Sequence, residues 1–254
     1  MRIVSHPALL LEVFDLHDRD RIVTFLTAER GKVRGVARGA RRKYSRFSGQ
    51  LQPLSKVQVS WFEKGAQELV RITDCELIRP ADRLQSTLEG ILAAACMAEQ
   101  MQAFAQENEE SDHFFRLLDS SLVALNEGVP LTLASRYYEI WVLRLAGIFP
   151  PPRECPHCER PFEPGEGGAF DGSSLALLCT RCAPGGWALS GAALELLRRS
   201  AREGLAQWAE AKPSSGQLHQ LEEICGRVRR SFLGHELRSY QVQQQTLESA
   251  AGAS

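Results

Sequence analysis

Along the first 80 residues, apolar and polar positions repeat with the short period of β-strands. Ile22-Val23-Thr24-Phe25-Leu26-Thr27 is β-branched and apolar, the composition that packs on a pleated surface. Gly31 supplies a turn, and Lys32 to Arg38 reads as the following strand. Lys56 to Trp61 alternates cleanly, with Val57, Val59 and Trp61 on one face. Glu63-Lys64-Gly65-Ala66 predicts a turn, and Leu69 to Thr73 its partner strand. With Leu9 to Phe14 added there are five short strands, and residues 39–53 form the one long interruption, between the third and the fourth. Five strands broken at that point suit an OB-fold barrel. An SH3-like barrel stays open as the alternative, because periodicity does not separate the two.

Beyond Pro80 the period lengthens. Leu84, Leu88, Ile91, Leu92 and Ala95 recur at helical spacing, as do Phe114, Leu117, Leu118, Leu122 and Leu125 after Ser111. Tyr137, Ile140, Trp141, Arg144 and Leu145 mark a third helix after Pro130, and Pro150-Pro151-Pro152 ends this region. Residues 153–187 are rich in Cys, Gly and Pro. Helical spacing then resumes with Leu194, Leu197, Leu205 and Trp208, and again with Leu218, Leu221, Cys225, Val228 and Phe232. The expected organisation is α+β and multidomain. An N-terminal OB-fold β-barrel (1–80) precedes an α-helical domain (81–152 and 188–240) with an inserted zinc-binding module (153–187). Residues 241–254, polar and small, are expected as a disordered tail.

Charge sharpens this picture. The formal net charge is −1, yet residues 1–80 carry 15 Lys and Arg against 9 Asp and Glu, while residues 81–254 carry 15 against 22. From Arg30 to Phe62 there are nine basic residues and no acidic one. So concentrated a positive field suggests a polyanion as partner, with a solvated positive face as the alternative reading of the run by itself. Lys32, Arg34 and Arg38 share one parity of the third strand, opposite Val33, Gly35 and Ala37, so an extended strand aims the cations to one side. Arg41, Arg42, Lys43 and Arg46 follow directly, and Tyr44 and Phe47 among them are candidates for stacking on bases, with packing against the barrel as the open alternative. Gly35 and Gly39 would let the nucleic-acid strand approach the backbone closely.

Cys155-Pro156-His157-Cys158 and Cys179-Thr180-Arg181-Cys182 are two Cys-x2-Cys pairs. Two such knuckles supply the four thiolates of a tetrahedral Zn²⁺ site, structural because it leaves no open position for water. An iron–sulfur cluster is the lesser option, and His157 is read as a surface residue. Cys75, Cys96 and Cys225 stand singly among apolar residues, as small core residues do. No phosphate-binding loop and no HExxH motif is present, so an enzyme is not expected. Asp15, Asp18 and Asp20 cluster as the carboxylates of a metal-dependent nuclease do, but they lie at a strand junction and read as a solvated turn. No leader segment is visible at the start, and the longest uncharged run, Cys182 to Leu194, is too short and too Gly/Pro-rich for a membrane span. A cytoplasmic protein with no membrane partner is therefore expected.

The order of these features resembles the RecO family of recombination mediators. Asp20 to Thr27, Gly31 to Arg42, Ser45-Arg46-Phe47 and Leu51-Gln52-Pro53 form the characteristic N-terminal run, and the cysteine pairs and Phe232-Leu233-Gly234-His235-Glu236-Leu237-Arg238-Ser239 fit as well. One departure is His17-Asp18, where Gly-Glu is expected. The resemblance implies a bacterial, nucleoid-associated protein that binds single- and double-stranded DNA and anneals complementary strands. It also implies partnership with RecR and single-stranded-DNA-binding protein in loading RecA. It carries DNA contact to Arg34, Arg38, Arg41, Arg42, Lys43 and Arg46. An RNA-binding OB/zinc-ribbon protein of translation or transcription remains the alternative that the residues alone allow.

Overall fold

A computed structural model describes residues 2–63, 69–107, 109–149, 152–172, 174 and 176–252. The expected turn at residues 64–66 and the prolines at 150 and 151 lie outside the described residues, as do residues 253 and 254. Contacts divide the chain into two compact units, residues 1–126 and 127–254. The sequence reading instead placed its first boundary at residue 80.

In the first unit, β1 (Arg2–Leu16), β2 (Asp20–Thr27), β3 (Gly31–Ala37), β4 (Lys56–Glu63) and β5 (Val70–Arg79) close a barrel in the order β1-β2-β3-β5-β4. All neighbours are antiparallel except β3 and β5, which pair in parallel through Gly35↔Val70, Val36↔Arg71 and Ala37↔Ile72. This is the OB-fold arrangement. The strand alternation explains the core: Ala8, Leu10, Val23, Phe25, Val33, Ala37, Val57, Val59, Trp61 and Ile72 face inward together. Gly35 also faces inward, and a Cβ there would lie 2.8 Å from Ile72 and 2.9 Å from Val70. The expectation that Gly35 admits a nucleic-acid strand is thus corrected: its missing side chain makes room for β5 at the parallel closure. His17, between β1 and β2, has φ +51°, the left-handed region that costs a non-glycine residue about 1 kcal/mol. This accounts for the glycine expected there.

Three helices complete the unit: α1 (Asp82–Gln85), α2 (Leu88–Phe104) and α3 (Asp112–Glu127). Leu9, Leu11 and Leu26 lie outside the inward-facing set, yet they are buried, because α2 packs against β1. The tip of the β2–β3 hairpin docks on the α2–α3 connection. Lys32 donates its N–H to the Gln106 carbonyl at 3.0 Å, and a Cβ on Gly31 would stand 2.2 Å from the Glu109 carbonyl oxygen. Asp119 of α3 receives Lys56 (2.7 Å) and Arg79. Burial raises its carboxyl, but those two cations outweigh burial and leave it below the usual carboxylate range.

The second unit holds α4 (Leu131–Leu145), a small sheet of β6 (Gly168–Asp171), β7 (Ala176–Cys179) and β8 (Trp187–Leu189) in the order β7-β6-β8, and then α5 (Gly191–Arg199), α6 (Leu205–Ala209), α7 (Ser215–Leu233) and α8 (Arg238–Gly252). Ser214 and Gln217 form a reciprocal capping box at the start of α7. Tyr138, Leu143, Leu194, Leu197, Trp208, Leu221, Ile224 and Val228 are fully buried. The expected disordered tail at 241–254 is corrected, because α8 continues through residue 252. Its first turns are held by Tyr240, which donates to Glu139 at 2.8 Å, and by the Arg229 guanidinium 3.4 Å from the Tyr240 ring. Glu139 is itself buried against Arg136 at 2.7 Å. Glu236 clasps Arg229 (2.9 Å) and Arg230 (2.8 Å). Gly234, at φ +78°, turns the chain so that it can do so.

Candidate nucleic-acid interface and metal centre

After Ala37 the chain leaves the barrel as a run of tight turns. Ala40 donates to Ala37, Arg42 to Gly39, Ser45 to Arg42, Ser48 to Ser45 and Gln50 to Phe47, all backbone to backbone at 3.0–3.3 Å. Gly39, at φ +72°, donates its N–H to the Asp20 carboxylate at 2.7 Å, which fixes the first turn to β2. Ala40, Phe47 and Leu51 fold back into the barrel core. The residues between them are left outside, and these are the basic ones.

Arg34 on β3, then Arg38, Arg42, Lys43 and Arg46, are exposed. Among the described residues none of the five is in an ion pair. Arg41 is exposed but engaged, donating to the His17 carbonyl at 2.8 Å with its Nε 3.4 Å from Asp15. Lys32 is drawn into the fold: its ammonium donates to the Gln102 carbonyl at 2.7 Å and lies 3.9 Å from Glu107. The two aromatic candidates separate. Tyr44 is 90% exposed, with the Lys43 ammonium 5.6 Å from its ring centre. Phe47 is 1% exposed, so its assignment to base stacking is corrected: it anchors the turn run in the core. We expect Phe47→Leu to lower stability by about 1–2 kcal/mol through imperfect refilling of that site without changing affinity for nucleic acid. Tyr44→Ala should leave the melting temperature unchanged. A thermal melt paired with a binding titration checks both.

The structure adds a cation that the linear reading missed. Arg71 is exposed on β5, beside Val36 across the parallel pairing, with its guanidinium 5.6 Å from the Phe62 ring centre. Its nearness to β3 depends on barrel closure between strands far apart in sequence. The acidic trio divides between structural roles. Arg21 donates to Asp15 at 3.1 Å and Asp20 receives Gly39, and among the described residues the trio forms no group placed to hold a metal.

In the second unit, Cys155, Cys158, Cys179 and Cys182 bring their sulfur atoms within 4.8 Å of one another. The Cys158 and Cys179 sulfurs are 3.9 Å apart, against about 3.8 Å between ligands of a tetrahedral four-thiolate zinc centre. Both knuckles close through backbone bonds: Glu159 donates to the Cys155 carbonyl at 2.8 Å, and Cys182 and Ala183 donate to the Cys179 carbonyl. Burial pushes the Cys179 thiol up, but the backbone N–H groups of Cys182 and Arg181 and neighbouring thiols bring it down to about 6. Cys182, hydrogen-bonded to Cys179, is pushed up to about 12. Four thiols this close do not ionise together without a cation among them. The donor set fits one metal ion. His157 is exposed and outside the set.

The module is fastened to its surroundings by arginines. Arg198 of α5 donates to the Pro152 and Phe162 carbonyls, and Arg160 pairs with Glu166. The Arg227 guanidinium of α7 lies 4.0 Å from the Trp187 ring centre. The remaining single cysteines, Cys75, Cys96 and Cys225, are buried. Among the described residues, no helix is long and apolar enough to cross a membrane.

Two family models match the chain, that of the recombination protein O N terminal region over residues 1–81 and that of its C terminal region over residues 85–241. A DNA repair protein RecO of Anaeromyxobacter sp. (strain K) is 36% identical over 183 residues, covering 72% of this chain and 71% of the relative. A second, from Anaeromyxobacter sp. (strain Fw109-5), is 33% identical over 234 residues, 90% of this chain and 89% of the relative. A third, from Syntrophotalea carbinolica, is 29% identical over 249 residues, 97% and 96%. A closed OB barrel followed by a helical unit around a four-cysteine centre, matched along nearly its whole length, places this chain in the RecO family.

Proposed function

We propose that this chain is a DNA-repair and recombination mediator that acts by binding rather than by covalent chemistry. It binds single- and double-stranded DNA, anneals complementary strands, and with RecR helps to load RecA onto DNA coated by single-stranded-DNA-binding protein. The observation that carries this reading is a set of exposed cations that make no ion pair among the described residues: Arg34 on β3, and Arg38, Arg42, Lys43 and Arg46 on the anchored turns beside the barrel. Phosphates would displace counterions from these side chains. Two strands neutralised on one surface would repel each other less while their bases search for partners. Neither nucleotide hydrolysis nor a catalytic group is needed. Within this reading Arg41 contributes less, since Asp15 already shares its charge, and Tyr44 offers a ring to a base.

Cys155, Cys158, Cys179 and Cys182 hold one structural Zn²⁺ in this proposal. The ion cross-links the two knuckles and supplies folding energy, with no part in chemistry. The protein works in the bacterial cytoplasm, on the nucleoid.

The test is annealing of complementary oligonucleotides already coated with single-stranded-DNA-binding protein, followed by fluorescence with no nucleotide added. Acceleration by this protein is the expected outcome. No acceleration, together with preference for RNA of the same sequence, would overturn the proposal in favour of an RNA-binding role.

A further inference from the structure

Four thiolates around one divalent ion leave net negative charge in a place where Cys155 and Cys179 are buried. Charge so placed calls for donors in a layer outside the ligands. The first knuckle carries a candidate. After Cys158 the chain turns back at Glu159, whose φ is +57°. Cys155 then donates its N–H to the Arg160 carbonyl at 2.9 Å, and Glu154 bridges to Pro161. The backbone of Arg160 is thereby fixed beside the cysteine that opens the knuckle.

The Arg160 guanidinium has three nitrogens that bear hydrogen, and oxygen accounts for two of them. Nη1 donates to Glu166 Oε2 at 3.1 Å, and Nη2 donates to Glu166 Oε1. The Glu163 N–H donates to the same carboxylate at 2.9 Å and keeps it in place. Nε differs. It is buried, and among the described residues no oxygen or nitrogen accepts from it. The Arg160 side chain lies instead within hydrogen-bonding reach of the Cys179 sulfur, on the opposite knuckle. A buried donor on a charged group is costly to leave without an acceptor. A neutral thiol is a weak acceptor and offsets little of that cost. A metal-bound cysteine is a thiolate, and a thiolate accepts strongly from a cation. The donor is therefore satisfied in the loaded centre and not in the empty one. Neighbouring arginines serve other partners: Arg198 gives to the Pro152 and Phe162 carbonyls, and Arg227 lies against Trp187.

We infer that Arg160 is a positioning residue of the metal centre, its Nε–H donating to the Cys179 thiolate, so that it spreads the charge of the four sulfurs and ties the second knuckle to the first. The inference rests on the four-thiolate reading above and adds to it a residue outside the ligand set that decides how firmly the ion is kept. Glu166 acts through Arg160, by holding the guanidinium at the angle from which Nε faces the sulfur.

The experiment uses the full chain, labelled with ¹⁵N and with its metal exchanged for ¹¹³Cd, an ion that thiolates also hold. The expected result is a scalar coupling between ¹¹³Cd and the Nε–H proton of Arg160, assigned through its side-chain carbons. Such a coupling passes through a hydrogen bond onto a metal-bound sulfur and not through mere proximity. In competition with a chromophoric chelator, Arg160→Leu should hold Zn²⁺ about 10–100-fold more weakly, and Arg160→Lys, which keeps a cationic donor, should recover part of the loss. An Arg160 Nε–H without coupling to ¹¹³Cd would overturn the inference, as would an unchanged Zn²⁺ affinity in Arg160→Leu. The coupling is read on the unsubstituted protein, so it decides the matter even if Arg160→Leu does not fold. If the unsubstituted protein takes up no metal, the four-thiolate reading itself fails, which is a separate and recognisable result.

Discussion

Cys155→Ser/Cys158→Ser should lose its bound metal entirely, from one equivalent per chain to none by elemental analysis. The second unit should unfold at markedly lower temperature. The size of the effect follows from how little else holds the module. Its strands are only three or four residues long, and Phe162, Phe170, Leu177, Leu178 and Leu189 supply most of its buried apolar surface. Metal binding in small four-ligand modules provides on the order of 10 kcal/mol, more than the entire stability of many domains. A strong chelator should reproduce the effect on the unsubstituted protein. The basic turn run belongs to the other unit, so duplex affinity should survive the loss of metal. Stoichiometric metal retained by the variant would show that other ligands hold it.

Removing the cations should act in the opposite sense, on binding and not on folding. Arg34→Ala/Arg38→Ala/Arg42→Ala/Lys43→Ala removes four exposed charges that make no ion pair among the described residues, so the melting temperature should stay within a few degrees. Each lost phosphate contact on a single strand flattens the dependence of log affinity on log salt by about 0.7. Four contacts predict a slope lower by about 2.8 and, near 0.1 M salt, an affinity lower by several hundredfold. Arg41→Ala should show a smaller loss, because Asp15 already shares its charge. Lys32→Ala should lower stability, because the Lys32 ammonium ties β3 to the Gln102 carbonyl. A quadruple variant with an unaltered slope would remove the turn run from the DNA interface.

The residues themselves made much of this legible, and what escaped has a common cause. Alternation predicted the strands because one face of each is buried, and the inward set Val33, Gly35 and Ala37 follows from parity alone. The cysteine knuckles were readable because metal ligation fixes spacing. Lys32 and Arg34 differ in role although their parity is the same, since only Lys32 meets the α2 segment. Phe47 reads like Tyr44 in the sequence, and its burial depends on the chain curling back over the barrel end. Arg71 joins β3 only through the parallel closure with β5. In each case the deciding contact joins elements separated by tens of residues, which local pattern does not encode. The length of α8 was missed for a related reason: its composition is polar, and its anchorage depends on Tyr240 reaching Glu139.

The turn run between β3 and β4 has one further consequence. Flexible basic segments must give up conformational freedom when they wrap a polyanion, and that ordering subtracts from affinity. Here Ala40, Phe47 and Leu51 are already seated in the core, and the intervening backbone is closed by successive hydrogen bonds. On the proposed DNA-binding reading, the cations would meet a strand from a backbone already fixed, like a comb whose teeth are rooted at a set pitch. Such a comb could release and recapture a strand without refolding each time, which would suit the annealing role proposed above.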